Sequence, residues 1–206
     1  MSFTTLKIND NGVLLYSQHE QRFRIAGNDA LKAYRQFAAE AAQGVYNLVW
    51  DGKNVLVKVR DESTLFDGMP VRYMISPIAH LKNRIDKPMP PSIYSSFVEL
   101  AISTLLTSSD GKEIYESCRA SVIAWNGKNI IRVPDNRPAV KSTMEMFLKE
   151  MPNVIEEPIL KDSDYPIALV NAVKCTCTIS VEGRKEFPAK QLEKIKEAYL
   201  ASAKRY

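Results

Sequence analysis

This chain of 206 residues lacks several motifs that would identify a catalytic or metal-binding site. It has only two histidines and three cysteines, and it contains no Cys-x-x-Cys pair, no P-loop and no Gly-x-Gly-x-x-Gly run. No apolar stretch approaches the roughly 18 residues of a membrane-spanning helix. The first residues, MSFTTLKIND, lack the basic-then-apolar order of a secretion signal. These absences argue against the common nucleophilic and metal sites and against a membrane partner, and they predict a cytoplasmic protein.

The cysteines and the charge place further bounds on the chain. Cys118, Cys175 and Cys177 are an odd number, and the last two form a Cys-Thr-Cys run that predicts two thiols on one face of a strand. A reduced chain explains this better than a disulfide framework. The net charge of +4 is mild, and the basic residues are spread along the sequence. This pattern indicates no nucleic-acid partner and suits a small anionic ligand.

The amino-terminal residues alternate between strand and helix patterns. Residues 4–8 and 13–16 carry alternating apolar side chains around Asn9-Asp10-Asn11-Gly12, which predicts a β-hairpin. From residue 28 to residue 43 the apolar period becomes helical, with Gly44 as its stop. This part of the chain is therefore predicted to be an α+β layer.

Strands expected at 45–50, 55–60 and 71–76 complete this α+β layer, which covers the first 78 residues. The rest of the pattern predicts a second, strand-rich part: hairpins at Asp110-Gly111 and Asn126-Gly127, a helix at 138–150 with Pro138 in its first turn, strands at 154–156, 167–170 and 175–181, and a closing helix with Leu192, Ile195 and Tyr199 on one face. Residues 92–106 suit neither period. Four of the eleven prolines lie in residues 77–92, which indicates a linker or an active-site crossing. We predict an α+β domain at 1–79, a proline-rich crossing at 80–91 and a second domain at 92–206.

Five short runs, in order along nearly the whole chain, carry a resemblance to a known family. They are Phe3-Thr-Thr-Leu-Lys7 with His19-Glu-Gln-Arg22-Phe23; Gly68-Met-Pro-Val-Arg-Tyr-Met-Ile-Ser76-Pro77-Ile78; Asp110-Gly111 with Glu116-Ser-Cys-Arg-Ala-Ser-Val-Ile123; Arg137-Pro-Ala-Val-Lys141; and Ile167-Ala-Leu-Val-Asn171-Ala172-Val173 with Val181-Glu-Gly-Arg184. Each run is short, and their order is the informative feature. Together they resemble the fold-type IV pyridoxal-phosphate enzymes, which include aminodeoxychorismate lyases and branched-chain and D-amino-acid aminotransferases.

The resemblance implies a fold, a cofactor and an activity. The expected fold class is α/β (α+β), with two small domains of the D-amino-acid aminotransferase type, an amino-terminal α+β sandwich and a carboxy-terminal β-rich, barrel-like α/β domain. The implied cofactor is pyridoxal 5'-phosphate, held between the domains of a homodimer. The implied substrate is small, anionic and amino-acid-like, and its reaction is either pyruvate elimination or transamination.

The resemblance also assigns roles to individual residues. Contacts with the cofactor fall on Arg22, Glu116, Val140, Lys141, Asn171 and Ala172. Arg22 and the helix start at Val140 and Lys141 are implied to bind the phosphate, which needs oriented N–H donors and positive charge. Glu116 is implied to contact the pyridine nitrogen, where a carboxylate keeps the ring protonated.

The catalytic lysine is left open between two residues. The resemblance places it roughly thirty residues before Glu116, which brackets Lys82 and Lys87. Such a lysine must be desolvated, so that its pKa falls and it can act as a nucleophile and proton carrier. Lys87 follows a predicted strand end, yet three prolines follow it within four residues. The proline cluster supports an alternative, a non-catalytic relative that keeps the fold and serves as a binding protein.

Overall fold

The computed structural model describes residues 2–61, 65–85 and 101–204. Its strands are β1 (Ser2–Asn9), β2 (Gly12–Val13), β3 (Gly44–Trp50), β4 (Val55–Arg60), β5 (Met69–Ile75), β6 (Ser103–Thr107), β7 (Glu113–Ser117), β8 (Ser121–Trp125), β9 (Ile130–Arg132), β10 (Val154–Glu156), β11 (Ile159–Leu160), β12 (Ile167–Asn171) and β13 (Cys175–Ser180). Its helices are α1 (Tyr16–Ala26), α2 (Asn28–Glu40), α3 (Thr143–Leu148) and α4 (Ala189–Ala201). No helix among these residues is both long and apolar enough to cross a bilayer.

The smaller sheet is antiparallel, has the order β2-β1-β3-β4, and packs against α1 and α2. Leu6 on β1 and Leu48 on β3 are fully buried beneath the two helices. Phe23 of α1 stacks on Tyr34 of α2, with ring centroids 5.0 Å apart. Removal of these side chains from water ties the helices to the sheet.

The larger sheet is mixed and has nine strands, in the order β10-β9-β8-β12-β13-β5-β6-β7-β11. One apolar core joins both halves of this order, because Leu105 and Ile114 of β6 and β7 pack with Val122 and Leu169 of β8 and β12. The sheet is therefore curled around an inner core. Its opposite face carries α3 and α4, whose Phe147 and Ile195 belong to a second core.

Many predicted elements are confirmed. The structure has β6–β7 and β8–β9 hairpins around Asp110-Gly111 and Asn126-Gly127. The 45–50 and 55–60 strands pair as β3 and β4, and the helix predicted at 28–43 ends at Glu40.

The prediction of a helix at 138–150 was wrong about where the helix begins. Only Thr143–Leu148 is helical, and Ser142 caps it by accepting a hydrogen bond from the Glu145 N–H. The preceding residues are extended instead, because Ile85 pairs with Val140 as a parallel β-bridge. Pro138 therefore lies before the helix and not in its first turn, and Val140 and Lys141 are not at a helix start.

Two other local predictions were also wrong. Residues 14–16 do not continue the first hairpin: Leu15 adopts a left-handed conformation, with φ of 53°, and α1 begins at Tyr16. The Cys-Thr-Cys thiols do not share a face, since Cys175 packs in the core beneath α4 and Cys177 in the inner core. The positive φ of Cys175, 69°, breaks the strand alternation.

The domain division at 80–91 stays a prediction. The change between the two sheets falls after β4, since β5 lies between β13 and β6 in the larger sheet. Residues 86–91 of the interval predicted to be a crossing, Lys87 among them, and residues 92–100 lie outside the described residues.

Candidate functional site

One buried carboxylate and two apolar side chains lie together on the face of β5, β6 and β7 that points away from the inner core. The strand register places Met74, Leu106 and Glu116 side by side, while Tyr73 and Leu105 point to the inner core. Met74 and Leu106 form a separate apolar cluster. Glu116 is only 6% exposed, so its carboxylate needs partners within the protein.

Both carboxylate oxygens of Glu116 accept a hydrogen bond from the backbone N–H of Val140, at 3.1 Å each. Val140 lies in the extended segment Ala139–Lys141, which we call the junction. The Ile85 N–H donates to the Ala139 carbonyl at 3.0 Å, and the Lys141 N–H donates to the Ile85 carbonyl at 2.9 Å. Strand pairing with Ile85 thus fixes the junction in front of Glu116.

Arg22 reaches the junction from the smaller sheet's side. Its Nη2 donates to the Lys141 carbonyl at 2.8 Å, and its Nη1 donates to the Phe3 carbonyl at 2.9 Å. His19, one helical turn earlier, is fully buried, and its Nδ1 lies 2.8 Å from Thr4 Oγ1. The His-x-x-Arg run therefore supplies one buried residue and one cation that joins β1 to the junction.

Four of the six predicted cofactor residues meet at this place. Arg22 and Lys141 are 119 positions apart in sequence, and Glu116 and Val140 are 24 apart, yet each pair is joined by a hydrogen bond. The arrangement brings a guanidinium, a buried carboxylate and two backbone N–H groups to one short segment. Such a set can hold an anion at one end and a protonated ring nitrogen at the other.

Asn171 and Ala172 lie in the β12–β13 hairpin. Asn171 Oδ1 accepts hydrogen bonds from the N–H groups of Val173 and Lys174, at 3.0 and 2.8 Å, which closes the turn. The Ala172 carbonyl accepts from the Tyr199 hydroxyl at 2.9 Å. Asn171 Nδ2 also donates to the Arg119 carbonyl at 3.4 Å, so these two residues are bonded within the hairpin and to the segment between β7 and β8.

Of the two candidate lysines, only Lys82 lies within the described residues. Lys82 is exposed, and Lys87 lies outside the described residues. Two residues after Lys82, however, the Arg84 side chain is 6% exposed and pairs with the buried Glu145 of α3, with Nη1 and Oε2 2.6 Å apart. Our sequence interpretation missed this pair. The Ser142-x-x-Glu145 spacing is a capping-box pattern and would have drawn attention to Glu145.

The structure offers little support for thiol or metal chemistry. Burial raises the pKa of Cys118 to about 11, and the neighbouring Glu116 acts in the same direction, so this thiol stays protonated at neutral pH. Burial likewise raises the pKa of Cys175 to about 12 and that of Cys177 to about 11. Within residues 2–61, 65–85 and 101–204, no three His, Cys, Asp or Glu side chains gather as metal ligands.

The sequence matches no protein-family model and no curated protein, but the fold matches solved structures. A hypothetical aminotransferase from Mycobacterium tuberculosis, in a PLP-bound form, superposes with a TM-score of 0.66 at 15% identity, over 97% of this chain and 89% of the other. A 4-amino-4-deoxychorismate lyase from Pseudomonas aeruginosa gives 0.63 at 13% identity, over 95% and 88%. This chain has the fold of the fold-type IV enzymes. The α+β class, with a smaller sheet and a curled larger sheet, is as the sequence resemblance predicted.

Proposed function

We propose that the protein binds pyridoxal 5'-phosphate and acts as a lyase or aminotransferase on a small, anionic, amino-acid-like substrate. The observation that carries this proposal is that Arg22 and Glu116 both bind the junction, at Lys141 and at Val140. The fold neighbours add support, since one is a PLP-bound aminotransferase and another a 4-amino-4-deoxychorismate lyase. Their identities with this chain are low, so the residue roles rest on the geometry of the junction.

The described residues fit the two charged ends of the cofactor. Glu116 is a buried carboxylate that faces the junction, where it would hold the ring nitrogen protonated. Arg22 is already bonded to Lys141, where its guanidinium would bind the phosphate. When bound, the cofactor supplies an electron-withdrawing ring. The protein's own part is to orient that ring and to move a proton at the lysine Nζ.

Of the two lysines, we propose Lys87 as the one that links covalently to the cofactor. A nucleophilic lysine requires desolvation, and Lys82 is exposed. Lys87 follows Ile85 by two residues, and Ile85 is hydrogen-bonded to both sides of Val140. In the sequence, a single residue, Asp86, separates Ile85 from Lys87.

The test is a titration of the purified protein with pyridoxal 5'-phosphate, followed by absorbance, in the parent and in Lys87→Ala and Lys82→Ala. We expect the absorbance band of the lysine-linked cofactor in the parent and in Lys82→Ala and its loss in Lys87→Ala. Absence of the band in the parent would overturn the proposal. A band that survives in Lys87→Ala would reject that lysine.

A second titration separates the two reactions. Candidate anionic amino acids are added to the loaded protein, and the release of pyruvate is measured beside the transfer of the amino group to an added 2-oxo acid. Pyruvate without amino transfer identifies a lyase, and amino transfer identifies an aminotransferase. If no amino acid tested yields either product, the catalytic proposal is contradicted.

One observation favours a second candidate, a binding protein without catalysis. The Val140 N–H is bonded to Glu116 and the Lys141 N–H to Ile85, so a bound phosphate would have to replace bonds that the protein makes with itself. If these bonds persist, no cofactor binds. The same cofactor titration decides between the candidates, because only the first predicts saturable binding.

We further propose that two copies of the chain pair in the cytosol. β4 is the outer strand of the smaller sheet, and its Val59 is 70% exposed beside the exposed Leu56 and Val57. Exposed apolar groups of this kind mark interaction surfaces. Light scattering should give the mass of two chains, with Val59→Glu reducing it and Leu160→Glu, an exposed position on the other sheet, leaving it unchanged. A single-chain mass for the parent would refute pairing.

A further inference from the structure

The segment Arg84–Ile85 lies between the two candidate lysines, two residues after Lys82 and two before Lys87. Ile85 holds the backbone of this segment against the junction through hydrogen bonds with Ala139 and Lys141, at 3.0 and 2.9 Å. Its side chain also packs with Val140 and Leu106. Whatever fixes Arg84–Ile85 therefore also sets the register between the lysine-bearing chain and the segment that faces Glu116.

Arg84, the neighbour of Ile85, is held by contacts of its own. Its side chain and that of Glu145 are each 6% exposed, and Nη1 lies 2.6 Å from Glu145 Oε2. Its Nη2 donates to the Val133 carbonyl at 2.7 Å, and its Nε is 3.3 Å from Asp135 Oδ1. These contacts link Arg84 to α3 and to the chain that follows β9.

Glu145 is placed for this contact by the start of α3. Its backbone N–H donates to Ser142 Oγ at 3.1 Å, and Ser142 Oγ is also 2.9 Å from Ser121 Oγ on β8. In a capping box the carboxylate at this position would turn back to the N-cap N–H. Here the Glu145 carboxylate binds Arg84 instead. One helix start thereby anchors both the end of the junction and the segment between the lysines.

A buried ion pair is a poor way to gain stability, because desolvation of two charges offsets most of their attraction, and apolar replacements of similar volume are often neutral or stabilising. Its benefit is geometric, since a guanidinium and a carboxylate bind in a defined orientation. We propose that Arg84 and Glu145 are positioning residues that hold the lysine-bearing segment in register with the junction. This inference rests on the proposed function, in which that lysine carries the cofactor.

The decisive variant replaces both partners at once. Arg84→Met together with Glu145→Met removes the pair without leaving a buried charge, so the protein should fold with a thermal midpoint close to that of the parent. We expect the rate of covalent attachment of pyridoxal 5'-phosphate to fall by on the order of tenfold to a hundredfold, as a shift of about 1 Å in a reacting group would cause. As a control, Glu156 on the edge strand β10 is a carboxylate bonded to Arg132, and Glu156→Gln should attach the cofactor at the parent rate.

A second measurement needs no cofactor. Amide hydrogen exchange at Ile85 and Lys141 reports the bonds between the two segments, and we expect faster exchange in the double variant and parent-like exchange in Glu156→Gln. Parent-like attachment together with parent-like exchange in the double variant would overturn the positioning role. Should the parent bind no cofactor, the proposed function fails, and the exchange result still decides whether the pair sets the register. If the double variant does not fold, Arg84→Lys and Glu145→Gln take its place with the same two measurements and the same expectations.

Discussion

Two groups of charged residues next to α3 use the same chemistry in different surroundings. Arg84 and Glu145 are both 6% exposed and bind each other at 2.6 Å. Arg132 is also buried, but its partners Asp135 and Glu156 are each 45% exposed. Asp135 touches both groups, since its Oδ1 also lies 3.3 Å from Arg84 Nε. Burial rather than bonding separates these groups. Water can replace a lost partner in the second group but not in the first. Loss of a partner should therefore destabilise the protein strongly in the first group and weakly in the second.

The largest effect should come from breaking the buried pair on one side. Glu145→Ala removes the buried carboxylate partner of Arg84 and leaves only the exposed Asp135, 3.3 Å from its Nε, and we expect the free energy of unfolding to fall by about 3–5 kcal/mol. Urea unfolding of the purified variant measures this loss. A change below about 1 kcal/mol would show that water reaches Arg84 and that the two groups do not differ.

A smaller loss is expected at Glu116, whose carboxylate accepts the Val140 N–H. Glu116→Ala leaves the Val140 N–H buried without its acceptor, at a cost of about 1–3 kcal/mol. Glu116→Gln keeps a carbonyl oxygen for that N–H and serves as the matched control. Equal urea midpoints for the two variants would contradict the role of this hydrogen bond.

The exposed group should respond to acid. Burial alone would raise the pKa of Asp135, but hydrogen bonds from Arg132 and Lys149 outweigh burial and lower the pKa to about 2. Because this folded-state pKa lies below the ordinary value of 3.8, the contribution is complete above about pH 4 and is lost as the pH falls towards 2. Asp135→Asn should flatten the fall of unfolding free energy over that interval. An unchanged pH profile would show that Asp135 is not coupled to folding.

The smallest effect should come from Glu156. Glu156→Ala removes one exposed partner of Arg132, and we expect a loss of at most about 1 kcal/mol in the urea experiment. A loss as large as that of Glu145→Ala would remove the distinction between the two groups. It would also disqualify Glu156→Gln as the control for the positioning pair.

Local signals predicted much of the fold. The Asp110-Gly111 and Asn126-Gly127 turns give the hairpins directly, because such dipeptides adopt the required positive φ easily. The face of α4 that carries Ile195 and Tyr199 is buried as its period predicted. The start of α3 was not predictable in this way. Its extended approach depends on pairing with Ile85, which is more than 50 residues away in sequence.

Only those site residues that belong to a short sequence motif could be predicted. Arg22, Glu116, Val140 and Lys141 came from short runs, and the structure brings them to one junction. The Arg84–Glu145 contact had no such signal, since it joins an arginine before the proline cluster to a helix first turn. Periodicity shows which face of an element is buried, but it does not show which charged residue from elsewhere in the chain will meet that face.

The central claim is that the junction holds pyridoxal 5'-phosphate, with Lys87 as its covalent partner. The most direct measurement is borohydride reduction of the parent protein with equimolar cofactor, which makes the link permanent, followed by mass mapping of the peptides. We predict one cofactor per chain, on Lys87. No adduct, or an adduct spread over exposed lysines such as Lys82, would contradict the account.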